Sequence, residues 1–219
     1  MIFLKLTRAA KGFFSRFGWL VAELVFIFLG LYGAFLLERR YDEQVEQMRK
    51  RQILEALVEE FKGYSEEFSA ASTSIDEAYA EPFFAAYAGQ EKPFPTPIQA
   101  ASMGSVDTGI WQAMLQGGGM DVLEIDVIQR IQAFFKKLQD FLDLYTRFEF
   151  LSTTFIMPEM DRNASFFYEE NSPQLRSKYS WYVNQLFVIG TTLRELSEES
   201  ATTLEFLEAE LQRAKEEMK

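Results

Sequence analysis

Apolar positions in this chain recur at three- and four-residue steps almost throughout, and nowhere does alternation with period two last long enough to propose a strand. The pattern predicts an all-α protein. Its densest apolar run, residues 17–37, carries a single charge, Glu23. At about 1.5 Å per residue those 21 positions measure about 30 Å, the hydrocarbon thickness of a bilayer, so a transmembrane helix is expected there. A cleaved signal peptide is the competing reading. The run is longer than an ordinary signal core, and GAFLLERRYDE offers no small-x-small cleavage site, which favours an uncleaved anchor.

Two flanking segments follow from the same pattern. Residues 1–16, leading into Phe17, place Phe3, Leu6, Ala10, Phe13, Phe14 and Phe17 at helical spacing, with Lys5, Arg8, Lys11 and Arg16 between them. They read as a short basic amphipathic segment, its cations and Trp19 at the lipid interface. A disordered basic tail is the plainer alternative. Residues 38–219 read as an acidic helical extramembrane domain. Its first helix is expected to continue from the span to about Glu67, with Val45, Met48, Ile53, Leu57, Phe61 and Tyr64 as the buried stripe.

Beyond it, small residues and Pro82, Pro93, Pro95 and Pro97 predict a short helix over 75–87 and an irregular connection over 89–97. A further short helix is expected over 109–115, ended by Gly117, Gly118 and Gly119, with Asp121 as N-cap of the next. From 121 to 157 the stripe is Ile125, Ile128, Ile131, Phe135, Leu138, Leu142, Tyr145, Phe148, Leu151 and Phe155, stopped by Pro158. Ser172 and Pro173 mark a last helix start. Leu175, Tyr179, Tyr182, Leu186, Ile189, Leu193, Leu196, Leu204, Leu207 and Leu211 form its stripe. The economical fold is one transmembrane helix continuing into an antiparallel helical bundle, its tail LEAELQRAKEEMK projecting as a coiled-coil or dangling helix.

Charge sharpens the division. Residues 1–40 hold six Lys/Arg against Glu23 and Glu38, a balance of +4, while residues 41–219 stand at −15. A basic amino end and an acidic body fit a membrane-anchored protein and argue against nucleic acid as a partner. The four cations before Glu23 favour an amino terminus in the cytoplasm and a periplasmic body at a bacterial inner membrane.

Glu23 admits three readings: a carboxylate snorkelling to headgroup depth, a polar contact between packed helices, or a proton-linked group held neutral by burial. Its helix face also bears Trp19, Ile27, Gly30 and Ala34, and Gly30 and Ala34, with Gly33 beside them, form a small-residue patch that lets a second helix approach closely. The expected membrane helix-packing residues are therefore Glu23, Gly30, Gly33 and Ala34. Membrane lipids, a second copy of the chain or membrane-protein subunits are the partners this implies.

Candidate chemistry is thin. The chain has no Cys and no His, which removes thiolate and imidazole ligands, the commonest general base and the cysteine nucleophile. Glu59/Glu60, Asp140/Asp143 and Glu195/Glu198/Glu199 read as solvated helix faces rather than a metal or catalytic pair. The residues from Asp121 to Asp126 lack the spacing of a calcium loop. The triple glycine has neither the preceding strand nor the following Gly-Lys-Ser/Thr of a phosphate loop. Phe134, Phe135, Phe141, Tyr145, Phe148 and Phe150 read as core. No catalytic residue, metal ligand or cofactor is expected.

Glu23, the apolar run with Gly30, and the charged helix carrying LEALVEEF together resemble a family of uncharacterised bacterial single-pass membrane proteins. The segment Trp111-Gln-Ala-Met-Leu-Gln-Gly-Gly-Gly is similar to that family's x-L-x-x-S-G stretch. The Asn-Trp that follows the span in the family is replaced here by Glu38-Arg39-Arg40-Tyr41. The resemblance implies a membrane anchor and a helical body, and no activity. The function expected is that of a non-enzymatic scaffold or accessory subunit acting through helix–helix contacts. The alternative is an extracytoplasmic helical sensor or ligand-binding module that signals through a partner.

Overall fold

A computed structural model describes residues 3–89, 91–98 and 109–217, with side chains from residue 23 onward, that of Ile110 excepted. The described chain is helical and contains no strand. Its α-helices are α1 (Phe3–Ile75), α2 (Glu81–Tyr87), α3 (Gly109–Gln116), α4 (Ile125–Phe155) and α5 (Trp181–Glu217). They fall into two compact units, Met1–Met48 and Arg49–Lys219.

The second unit is built on three long helices. From α1, Leu54, Leu57, Phe61, Tyr64, Phe68, Ala71 and Ile75 are buried in unbroken three- and four-residue steps. From α4 the buried series is Val127, Ile131, Phe134, Leu138, Phe141, Phe148 and Ser152. From α5 it is Tyr182, Leu186, Ile189, Leu193, Leu196, Ser200, Thr203, Leu207 and Leu211. Cross-contacts give the directions. Lys50 pairs with Glu124 at 2.9 Å and Phe61 packs on Phe134 at 4.7 Å, so α1 and α4 run the same way. Lys137 pairs with Glu199, Arg130 lies over Phe206, and Ser197 donates to the Ser65 carbonyl, so α5 runs against both.

Several expectations move. Val45 and Met48 do not join the buried stripe: they are 40% and 51% exposed. The reason is register. Continuing 41, 45 and 48 leads to Gln52 and Glu55, whereas the core series starts at Leu54, with Ile53 only half-buried. On α4 the expected stripe is met in part: Ile131, Leu138 and Phe148 are buried and Ile128, Phe135, Leu142, Tyr145 and Phe155 pack half-buried against the core. Ile125, however, is 69% exposed, and Val127, Phe134, Phe141 and Ser152 join the buried series, which keeps a seven-residue repeat over Val127, Ile131, Phe134 and Leu138.

Helix ends also shift. The first helix continues past Glu67 to Ile75 and passes through a π-helical turn, Asp76–Ala80, into α2. Asp121 does not cap α4. It lies in a 3₁₀ turn, Gly119–Val122, and Glu124 holds the N-cap position. Ser172 and Pro173 do not start the last helix. Backbone bonds from Glu169 N to Gln174 O (2.9 Å) and Arg176 N to Phe167 O (2.8 Å) close a loop there instead. Asn171, at φ 55°, sits in that loop, and α5 begins at Trp181.

The carboxyl-terminal tail neither projects nor dangles. Leu207, Leu211 and Ala214 are buried, and the Glu210 side chain is 2% exposed with its carboxylate 2.5 Å from Arg213. Lys215 reaches Glu55 of α1 at 3.7 Å.

Candidate functional site

Within the first unit, α1 carries its apolar stretch on every side. Val25, Phe26, Ile27, Phe28 and Leu29 are successive positions that together circle the helix, and all are exposed, from 48% at Val25 to 75% at Phe26. Leu31, Tyr32, Phe35, Leu36 and Leu37 extend the same sleeve. Propensity alone does not explain a helix so rich in aromatic and β-branched residues. What it does satisfy is the backbone: every interior N–H and C=O is paired within the element, the condition for apolar surroundings.

The structure places the four expected helix-packing residues on this sleeve. Glu23 and Ala34 are exposed. A Cβ built on Gly30 or Gly33 would meet nothing within 4 Å. The residues expected at the lipid interface, Lys5, Arg8, Lys11, Arg16 and Trp19, lie on the helical backbone of α1, but their side chains are outside the described residues. Among the described residues no helix is long and apolar enough to cross a membrane. The described part of the sleeve, residues 23–37, measures about 22 Å, and the first six positions of the expected span precede it.

Past residue 37 the sleeve narrows to a stripe. Tyr41, Val45 and Met48 stay exposed, and polar side chains fill the rest of the circumference. Arg39 and Glu43 form an i,i+4 pair at 3.0 Å there. Sequence reasoning placed Val45 and Met48 in the core. Only the break in register before Leu54 signals their different role.

Several polar groups elsewhere are engaged in structure. Glu60 accepts from Tyr64 Oη at 2.8 Å, Asp143 from Gln139 at 3.1 Å, and Glu199 pairs with Lys137 at 2.7 Å. The three carboxylate groups singled out in the sequence lie on three different helices, α1, α4 and α5. No cluster of three or more His, Cys, Asp or Glu able to hold a metal ion occurs among the described residues. The triple glycine ends α3: Gly118 has φ +64°, and Arg49 donates to the Gly117 carbonyl. Beside it a groove of about 370 Å³ is lined by Ile53, Ala56, Ala113 and Met114, with Arg49 and Gln52 at its polar side. It offers packing surface, and its one cation is already bonded to the Gly117 carbonyl.

The expected aromatic cluster is largely core. Phe134, Phe141 and Phe148 are buried, Phe135 stacks on Trp111 at 5.1 Å, and Tyr145 is half-buried. Phe150 departs from the cluster and is exposed. At the other end Tyr168 Oη donates to Pro93 O (2.7 Å) and Tyr182 Oη to Thr96 O (2.6 Å), fixing the irregular 91–98 segment. Burial pushes both phenols well above their ordinary range.

The chain matches no protein-family model, no curated protein and no solved structure. The chemistry therefore has to be read from the apolar sleeve itself.

Proposed function

We propose that this chain is a non-enzymatic, single-pass membrane protein whose helical body serves as a scaffold or accessory subunit through helix–helix contacts. The observation that carries the reading is the sleeve: apolar side chains exposed around the whole circumference of α1 over residues 24–37. A groove on a protein covers one face of a helix, whereas lipid covers all of them. Taken with Phe17 to Ala22 in the sequence, the stretch is 21 positions long with Glu23 as its charge. The basic residues before it favour a cytoplasmic amino terminus and a periplasmic body at a bacterial inner membrane. The amino-terminal resemblance described above points the same way.

Fractionation of cells expressing the full chain tests the anchor. Retention in membranes through alkaline carbonate extraction is expected, and recovery in the soluble fraction overturns it. The assembly role fails if detergent-solubilised protein is strictly monomeric and captures no subunit from native membranes.

A further inference from the structure

Beyond residue 37 lipid no longer accounts for what covers α1, yet one face of the helix remains apolar. At 100° per residue, Gly30, Ala34, Leu37, Tyr41, Val45 and Met48 fall within about 80° of one another, in steps of three and four. The first two are the small-residue pair inside the sleeve, and the last four are exposed at its exit. We propose that this face is where a second copy of the chain docks, in parallel and in register. The proposal rests on the membrane-anchored reading and names its partner.

Three features select that occupant. The face is continuous from the sleeve into the polar stretch, so whatever covers it must itself be a helix passing from apolar to aqueous surroundings along the same line. A second copy held in the same membrane does this by construction, with Tyr41, Val45 and Met48 meeting their counterparts at the same height. Second, Gly30 has open space where a Cβ would stand, which allows two backbones to approach closely next to Ala34. Third, the borders are compatible. Glu38 and Asp42 flank one edge of the face and Arg40 and Gln44 the other. In a parallel pair each edge meets the opposite edge of the partner, so carboxylates stand beside a guanidinium and an amide donor rather than beside each other. The Arg39–Glu43 pair lies on the far side and is left undisturbed.

The chain contains no cysteine, so single cysteines report this contact without background. In membranes holding the full-length protein, oxidation of Val45→Cys and Met48→Cys is expected to give covalent dimers. Their yield should exceed that of Glu43→Cys and Glu46→Cys, on the opposite face, by at least about tenfold, the equivalent of about 1.4 kcal/mol. Equal yields at all four positions, no dimers at any, or Val45→Cys joining only a different protein would overturn the proposal. A Val45→Glu/Met48→Glu double variant should lose the dimer in detergent yet stay in the membrane after carbonate extraction. Persistence of its dimer would also overturn the proposal. Release of the unsubstituted chain by carbonate would instead overturn the anchor, while the crosslinking pattern still decides the pairing.

Discussion

Gly190 of α5 and Asp76, the first residue of the π-helical turn, are packed so closely that a Cβ on Gly190 would stand 2.9 Å from Asp76 Oδ1. The aspartate cannot swing aside freely, because its Oδ2 is held by Arg194 at 2.6 Å. The Ser72 hydroxyl reaches the Gly190 carbonyl at 3.4 Å, another sign of close backbone approach. Two effects compete on substitution. Alanine gains about 1 kcal/mol of helix propensity over glycine, while overpacking costs about 1–3 kcal/mol. Gly190→Ala is therefore expected to lower stability by about 1 kcal/mol. Adding Asp76→Ala should restore part of that loss. Denaturant titration of the two single variants and the double variant checks this, and strict additivity would contradict the contact.

The Tyr182 phenol gives a pH dependence with a definite sign. Burial raises its pKa in the folded chain, while the unfolded phenol ionises near its ordinary value of about 10. A raised folded-state pKa means its contribution is complete below about pH 10 and is lost as pH rises beyond it. Alkaline unfolding above about pH 10 should accordingly become shallower in Tyr182→Phe. The same variant loses the bond to Thr96 O and should cost about 1 kcal/mol at neutral pH. Thermal melts followed by circular dichroism at pH 7 and above pH 10 separate the two effects.

Leu207 tests whether the carboxyl-terminal tail belongs to the core. It is fully buried, so Leu207→Ala is expected to destabilise the protein by about 2–5 kcal/mol. Glu208→Ala, one residue on and exposed, should stay within about 0.5 kcal/mol of the unsubstituted chain. A dangling tail would make both changes silent.

Phe134 sits at the centre of the aromatic packing, 4.7 Å from Phe61 and 5.5 Å from Tyr64 between ring centroids. Phe134→Ala should cost about 3–5 kcal/mol. Phe150→Ala, on the same helix but exposed, should cost far less. Comparable losses at the two positions would contradict the burial of Phe134 and the exposure of Phe150.

Local chemistry determined a large part of this molecule. Three- and four-residue apolar steps specify helices wherever they run, so the all-helical class and the interiors of α1, α4 and α5 were legible from the residues alone. So was the short α3, bounded by its glycines, because a positive φ at Gly118 is a local requirement. The sleeve was legible for the same reason, since apolarity without periodicity is a property of the chain itself. On α5 the expected stripe is the one buried, with Leu204 half-buried, whereas the tertiary structure decided how far the buried faces of α1 and α4 extend and where each helix stops. Ser172-Pro173 has the local chemistry of a helix start, but bonds to Phe167 and Gln174 close a loop there. Val45 and Met48 look like core until the register that packs Leu54 and Leu57 against α4 and α5 leaves them exposed. The tail looks free until Leu207, Leu211 and Ala214 find apolar neighbours. Such outcomes rest on contacts between residues far apart in sequence, and a helical repeat specifies a stripe without specifying what will cover it.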